Sequence, residues 1–179
     1  MSDENTKYEG KHLRLINDGG WEYAQRVGVT GVIAVLPITV DHEMIFIEQY
    51  RKPIGRNLIE IPAGLVGDGE LTDEIIEEAA LRELQEETGY TSDELEYLTE
   101  GPSSAGMTDE IVTYYLAHHA RKIHEGGGTG DEEITMHLIP TEEAMDWLHD
   151  RQDEGQMIDP KVYTALYFWL MEQQYEDED

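Results

Sequence analysis

Apolar residues along this chain alternate with polar ones in several short segments, and they also form one longer, mainly apolar run. The run covers residues 29–40 and is rich in β-branched residues. It predicts a central strand buried on both faces. The shorter alternating segments predict further strands at residues 12–16, 21–27, 44–50, 58–61, 95–100, 111–118 and 134–139. The turn Asn17-Asp18-Gly19-Gly20 joins the first two of these strands as a hairpin.

Three segments instead repeat their apolar residues at helical spacing. The first is predicted to begin at Thr72, as its N-cap, and to end at Thr88, because Gly89 is a typical C-terminal stop. Two more helices are predicted at residues 141–151 and 161–174. The core stripe of the first helix is predicted to contain Ile76, Ala79, Ala80 and Leu84.

Two segments show neither the strand nor the helix repeat of apolar residues. Residues 1–10 are polar and are predicted to be frayed, and residues 64–69 carry three glycines and are predicted to form a turn-rich loop. Strands that predominate over a few segregated helices indicate an α+β fold built in layers.

Charge sets limits on the partners of this chain. Its 12 basic and 40 acidic residues give 12 − 40 = −28 at neutral pH. The electric field of such a negatively charged protein repels nucleic acid and anionic membranes, so neither is an expected partner. A hydrophobic content of 39% together with clear periodicity argues against an acidic disordered protein. The composition is typical of a halophile, whose salt-rich cytoplasm screens such repulsion.

Cysteine and targeting segments are also informative. The chain has no Cys, which excludes disulfides, thiolate metal sites and a Cys nucleophile. Its first ten residues lack an apolar signal region, and no apolar run approaches the 18 residues that span a bilayer. We therefore expect a soluble cytoplasmic protein.

The candidate chemistry lies in the first predicted helix. Glu83, Glu86 and Glu87 are spaced so that they share one helix face, where like charges repel by about 0.2–0.5 kcal/mol per pair. A divalent cation such as Mg²⁺ binds carboxylate oxygens together with substrate phosphates and would relieve that repulsion. Spacing alone leaves a second interpretation open, a solvated acidic face.

The residues around this face resemble the Nudix hydrolases. The family motif reads G-x5-E-x7-R-E-U-x-E-E-x-G-U, where U is a bulky apolar residue. Residues 82–90 fit its right half if Tyr90 is accepted at the last position. On the left, Gly64 and Glu70 keep the G-x5-E spacing, but eleven residues separate Glu70 from Arg82. A four-residue insertion explains this, and it leaves open whether Glu70 or Glu74 is the Glu that braces the Arg.

Flanking residues resemble one branch of that family, the ADP-ribose pyrophosphatases. The similarity covers residues 48–51, 58–64, 104–110, 131–134 and the last helix, and in all about residues 10–175. A second Pro that this branch usually carries after the motif is replaced by Ala105. The resemblance implies an α/β/α sandwich around a mixed sheet, and hydrolysis of ADP-ribose to AMP and ribose 5-phosphate. Ala105 keeps open another nucleoside diphosphate derivative, such as a sugar nucleotide or NADH. A non-catalytic ADP-ribose or nucleotide sensor is the alternative from another class.

The resemblance also implies roles for individual residues. It places Mg²⁺, with Mn²⁺ as a substitute, on Glu83, Glu86, Glu87, the Ala63 carbonyl and Glu132. It places the general base at Glu132 or Glu133, with Glu86 also catalytic, on a loop that the preceding glycines, residues 126–130, make flexible. The substrate is expected to contact Arg51, Glu60, Met107 and Glu110. Residues 1–28 are expected to form strands that create a homodimer, residues 29–175 the Nudix domain, and residues 176–179 an acidic tail.

Overall fold

The computed structural model describes residues 5–67, 73–128 and 133–176 of the chain. Within these ranges the chain forms twelve strands and three α-helices. The strands are β1 Thr6–Glu9, β2 Leu13–Asp18, β3 Trp21–Arg26, β4 Gly31–Thr39, β5 Glu43–Arg51, β6 Arg56–Glu60, β7 Ala63–Val66, β8 Tyr90–Thr91, β9 Glu94–Pro102, β10 Ile111–Lys122, β11 Ile134–Pro140 and β12 Met157–Ile158. The helices are α1 Ile76–Thr88, α2 Ala144–Asp153, which follows a 3-10 turn at Thr141–Glu143, and α3 Pro160–Glu176.

A mixed sheet forms the centre of the molecule. Its strand order is β12-β6-β5-β4-β10-β8, while β7 pairs with β4, β9 with β10 and β11 with β5. The pairs β4–β10 and β6–β12 are parallel, and the other pairs in this sheet are antiparallel. Successive side chains of a strand point to opposite faces, and residues 32–37 of β4 are all buried, so both faces of the sheet are covered.

Each face of the sheet packs against different helices. On one face, Ala34 and Leu36 of β4 belong to the same buried cluster as Leu148 of α2 and Leu166 of α3. On the other face, a second cluster joins β4 to α1, through residues Ile33, Val35, Ala79, Ala80 and Leu84. This layering confirms the predicted α/β/α sandwich around a mixed sheet.

The first three strands form a separate antiparallel sheet in the order β1-β2-β3. Asn17 accepts a hydrogen bond from the amide of Gly20 at 3.2 Å, and Gly19 and Gly20 both have positive φ, as the predicted hairpin turn requires. The small sheet is held against residues 107–110. The amide of Ala24 donates to the carbonyl of Met107 at 2.8 Å, and Arg26 forms an ion pair with Glu110.

Several elements differ from their predictions. Residues 6–9 are strand β1, and residues 63–66 are strand β7, because each segment finds a neighbouring strand to pair with. The short strands β8 and β12 are absent from the predictions. Helix α1 begins at Ile76, whereas the predicted N-cap Thr72 lies outside the described residues. Ile76 is 40% exposed, so the core stripe of α1 is shorter than predicted.

Candidate active site

Helix α1 presents the predicted carboxylates to a cleft. Ala79, Ala80 and Leu84 fix the helix on the sheet, and this orientation turns Glu83, Glu86 and Glu87 towards the open side. The helix ends where Gly89 adopts φ of 77° and its amide donates to the carbonyl of Gln85. Gly89 therefore ends α1, as the sequence predicted.

The cleft has a volume of about 940 Å³ and lies between α1, the ends of β5 to β7, the start of β10 and the first turn of α3. It brings together most of the residues that the sequence singled out, namely Arg51, Glu60, Ala63, Glu83, Glu86, Glu87 and Glu110. Two of the predicted site residues that the structure describes are not among those that line it, because Met107 is 71% exposed and Glu133 is exposed. Glu132 lies outside the described residues.

Two of the three helix carboxylates are held closely. Glu87 is 5% exposed and accepts a hydrogen bond from the amide of Ala63 at 3.0 Å. The Glu83 carboxyl fills the space over Gly64, where a Cβ would overlap it. Burial raises the pKa of Glu83 above the ordinary value of 4.5, against the opposing effect of Arg82. A buried carboxylate needs a cation to compensate its lost hydration, and Arg82 provides one at 2.8 Å.

Arg82 links the motif together. Its Nε donates to Glu74 at 2.7 Å, and its terminal nitrogens donate to Glu83 at 2.8 Å, to Glu86 at 3.3 Å and to the carbonyl of Leu65 at 2.9 Å. Glu74 also accepts from the amide of Gly67, and the bond from Arg82 lowers the pKa of Glu74. Glu74 therefore occupies the bracing position that the sequence left open, while Glu70 lies outside the described residues.

A second wall of the cleft faces α1. It contains a chain of alternating charges, in which Arg51 contacts Glu60, Glu60 faces Lys161, and Lys161 contacts Asp159. Lys161 and Asp159 were not predicted as site residues. The sequence Asp159-Pro160 does indicate the start of a helix. That this start lies at the cleft depends on a buried strand nearby, which the helix signal does not reveal.

The charges of the lining fit a divalent cation. Among the described residues, six acidic and four basic side chains line the cleft, and together they carry a formal charge of 4 − 6 = −2. A pyrophosphate would add further negative charge, so hard cations with oxygen ligands are needed to neutralise both. Among the helix carboxylates Glu86 is the most exposed, at 37%, and its 3.3 Å contact with Arg82 is the longest. Glu86 can therefore exchange Arg82 for a metal ion at the least cost.

A second group of possible metal ligands lies outside the cleft. Within the described ranges, Glu96 on β9, His118 on β10 and Glu172 on α3 place one ligand atom each within 4.8 Å of one another. His118 Nε2 lies 2.9 Å from Glu96 Oε2. None of these three residues lines the cleft.

The glycine run after β10 does not act as a free hinge in its described part. The amide of Gly127 donates to the Glu87 carbonyl at 2.9 Å, and the amide of Gly128 donates to the Glu86 carbonyl at 3.0 Å. A Cβ on Gly126 would overlap the backbone of Thr88. The prediction of flexibility is therefore wrong for residues 126–128, because they satisfy the last carbonyl groups of α1. Residues 129 and 130 lie outside the described part of the chain.

Comparison with known proteins agrees with this geometry. The family model of the NUDIX domain matches residues 29–161. A methanol dehydrogenase activator of Bacillus methanolicus is 32% identical over 80% of this chain and 74% of its own length. An ADP-ribose pyrophosphatase of Bacillus subtilis is 37% identical over 79% of this chain and 74% of its own length.

A solved structure of an ADP compounds hydrolase has the same fold. It superposes with a TM-score of 0.67 at 18% sequence identity, and the match covers 97% of this chain and 91% of that one. None of the helices in the described ranges is both long and apolar enough to cross a membrane. The matched domain model, the sandwich fold and the cleft beside α1 together show that the chain belongs to the NUDIX domain family.

Proposed function

We propose that this protein is a metal-dependent hydrolase that cleaves the pyrophosphate bond of ADP-ribose to give AMP and ribose 5-phosphate. The observation that carries the proposal is one cleft with two complementary walls. The carboxylates Glu83, Glu86 and Glu87 lie on one wall, and Arg51 lies on the other. The similarity to the ADP-ribose pyrophosphatase of Bacillus subtilis supports this choice of substrate.

The metal-binding wall would hold Mg²⁺, or Mn²⁺ in its place. Glu83, Glu86 and Glu87 provide carboxylate oxygens, and we expect the Ala63 carbonyl and Glu132 to complete the set. A bound divalent ion neutralises phosphate oxygens and lowers the pKa of a water molecule. Arg82 keeps Glu83 and Glu86 on the same side of α1 through its bonds of 2.8 and 3.3 Å.

The reaction itself requires a base and a clamp. A water molecule attacks one phosphorus, the bridging oxygen leaves with the other phosphate, and the proton of the water passes to Glu132 or Glu133. Arg51 would bind the phosphates with the terminal nitrogens of its guanidinium, which match phosphate oxygens in pairs. We expect Glu110 and Met107 to contact other parts of the substrate, while Glu60, predicted as a further contact, is buried and acts through Arg51.

The N-terminal sheet provides a surface for a homodimer. Its exposed apolar residues include Tyr8 at 68%, Leu13 at 49% and Trp21 at 64%. A second copy covering this surface would bury large apolar side chains, which is favourable by about 25 cal/mol per Å². We propose a homodimer in a salt-rich cytoplasm, and light scattering in molar KCl tests its mass.

A second candidate is the same reaction on another nucleoside diphosphate derivative. Ala105 favours it, because the ADP-ribose pyrophosphatase branch usually has Pro at this position in the loop that precedes Met107. A loop without that Pro has more backbone freedom, and it can admit a sugar other than ribose.

One assay tests both candidates. The protein is incubated in molar KCl with Mg²⁺ and, separately, with ADP-ribose, ADP-glucose, GDP-mannose, NADH and diadenosine polyphosphates, and products are separated by chromatography. Glu86→Gln should abolish turnover. Glu78→Gln is the matched control, because Glu78 is exposed on the same helix and does not line the cleft.

The outcomes separate the candidates. Preferential release of AMP from ADP-ribose, lost in Glu86→Gln and kept in Glu78→Gln, supports the first candidate. Preference for another compound supports the second. No turnover of any compound by a folded protein contradicts hydrolysis and favours a nucleotide-binding sensor.

A further inference from the structure

The buried carboxylate of Glu60 lies between two cations on the second wall of the cleft. Glu60 is 1% exposed, its Oε2 accepts from Arg51 Nε at 2.7 Å, and its Oε1 lies 3.6 Å from Lys161 Nζ. A buried carboxylate is stable only when cations and hydrogen bonds compensate its lost hydration. Each oxygen of Glu60 therefore faces a different positive charge.

The contact with Glu60 determines which part of Arg51 remains available. A guanidinium has five N–H donors, and the bond to Glu60 occupies the Nε donor. The two terminal nitrogens provide the remaining donors, at a side chain that is 39% exposed and lines the cleft. Glu60 thus orients Arg51 so that its phosphate-binding edge can face a ligand.

Lys161 is itself held firmly. Its Nζ lies 2.5 Å from Asp159 Oδ2, and its amide donates to Asp159 Oδ1 at 2.7 Å. The amide of Asp159 donates to the carbonyl of Ile59, and β12 pairs with β6. The start of α3, and with it the backbone of Lys161, is therefore fixed to the strand that carries Glu60.

Positive charge is scarce in this protein, yet a third of it is found here. Four of the twelve basic residues line the cleft, which are Arg26, Arg51, Arg82 and Lys161. Arg26 and Arg82 have carboxylate partners of their own, Glu110 and the motif residues. Lys161 likewise pairs with Asp159, but it differs because it also faces the carboxylate that orients Arg51.

These contacts point to Lys161 as a positioning residue for the phosphates of the substrate. Lys161 holds Glu60 in place, and Glu60 in turn holds Arg51 Nε. Arg51 is therefore already ordered before the substrate arrives, and its terminal nitrogens bind the pyrophosphate with a smaller loss of rotamer entropy. A free guanidinium side chain has many rotamers, and it loses this freedom when it binds a ligand. The inference rests on the proposed function in one respect, that the ligand of this wall is a pyrophosphate.

A different role for Lys161 makes a different prediction. If Lys161 only neutralised Glu60, its loss would lower the melting temperature and leave substrate binding unchanged. A positioning role instead requires that Lys161 affects substrate binding only by way of Arg51. Their effects on KM should then fail to add, because coupled residues show an interaction energy in a double-mutant cycle.

The experiment is that cycle, in molar KCl with Mg²⁺. Lys161→Met, Arg51→Gln and the double variant are compared with the unmodified protein for KM, kcat and melting temperature. Lys161→Met should raise KM about tenfold with kcat within about twofold, since tenfold corresponds to the loss of one ordinary binding interaction. It should have no further effect when Arg51 is already Gln. Lys161→Arg should restore most of the loss, because it keeps the positive charge.

Two controls accompany the cycle. Arg121→Met removes a positive charge from an exposed ion pair with Asp93 that does not line the cleft, and it should leave KM unchanged. If Lys161→Met does not fold, Lys161→Gln keeps a polar side chain and gives the same comparison. An unchanged KM in a folded Lys161 variant, or additive effects in the cycle, would overturn the inference.

Failure of the proposed function can be told apart from failure of this inference. If the unmodified protein hydrolyses none of the nucleotides, the function fails, and calorimetry with magnesium pyrophosphate replaces the kinetic readout in the same proteins. Binding that is about tenfold weaker in Lys161→Met supports positioning by Lys161. Equal binding, or no binding by the unmodified protein, contradicts it.

Discussion

Gly64 leaves the space that the carboxyl group of Glu83 occupies. A Cβ at residue 64 would overlap the Cδ and both carboxylate oxygens of Glu83, although the two residues belong to different elements, β7 and α1. The position of a proposed metal ligand therefore depends on the absence of a side chain on the neighbouring strand.

Substitution of this glycine tests that dependence. Gly64→Ala should displace the Glu83 carboxylate and weaken Mn²⁺ binding by about 10- to 100-fold, the range found when the supporting contacts of a metal ligand are lost. Titration followed by electron paramagnetic resonance measures the affinity. Gly101→Ala is the matched control, because a Cβ there meets nothing within 4 Å. Equal affinities in the two variants would show that Glu83 does not bind the metal ion.

Loss of the bracing carboxylate should affect stability. Glu74→Gln keeps one acceptor for Arg82, but it replaces Oε2, which accepts from the Gly67 amide and from Arg82 at 3.1 Å each, with an NH2 group that can accept neither bond. The Glu74 side chain is 5% exposed, so water does not replace the lost acceptor. We expect a loss of about 1–3 kcal/mol in the free energy of unfolding, the usual cost of a buried unsatisfied group. Urea unfolding at neutral pH measures it, with the exposed Glu78→Gln as control. A loss no larger than that of the control would contradict the bracing role.

The same pair predicts how stability depends on pH. Because Arg82 lowers the pKa of folded Glu74 below the ordinary value of 4.5, the pair stabilises the folded state above pH 4.5. That contribution is lost as the pH falls through the lower folded pKa. The stability difference between the natural protein and Glu74→Gln should therefore shrink below pH 4.5. A difference that stayed constant in acid would show that ionised Glu74 is not its source.

The attachment of residues 126–128 to the end of α1 can be tested with two neighbouring glycines. Gly126 and Gly127 both have positive φ, but a Cβ overlaps backbone atoms only at Gly126. Gly126→Ala should destabilise the protein by about 1–3 kcal/mol more than the backbone strain that both alanine variants share. It should also reduce turnover, because Glu86 and Glu87 lie in the turn that would shift. Similar melting temperatures for the two variants would contradict this close packing.

The charge of −28 predicts a strong response to salt. The melting temperature should rise with KCl and then level off as the screening length falls to about 3 Å near 1 M salt. Calorimetry across a KCl series measures it. A continued linear rise would indicate general exclusion of salt from the protein surface, and no rise would contradict adaptation to a salt-rich cell.

The sequence predicts the central elements of the fold well and the short ones poorly. The run at residues 29–40 identifies β4, because a mainly apolar segment predicts a strand buried on both faces without any knowledge of its neighbours. Strands β7 and β12 have four and two residues. Such segments become strands only because β4 and β6 lie beside them, and no local pattern encodes that proximity.

The residues of the candidate site also divide into those that the sequence predicts and those that it does not. Glu83, Glu86 and Glu87 share a face through helix geometry, so their spacing is sufficient to predict them. Lys161 reaches the cleft through the pairing of β12 with β6, which brings together residues about a hundred positions apart. Glu74 likewise could not be distinguished from Glu70 until Arg82 was seen to bond with it.

The ion pair between Arg26 and Glu110 also affects the order in which the protein can be completed during synthesis. The two residues are 84 positions apart, and a ribosome adds about 5–20 residues per second, so Arg26 waits for roughly 4–17 s before Glu110 exists. Strand β12 and the start of α3 come later still. The small N-terminal sheet must therefore emerge with its apolar residues uncovered, and a nascent chain that stops before residue 161 lacks part of the cleft wall. Chaperones that shield this sheet on the ribosome would be expected to increase the yield of active protein.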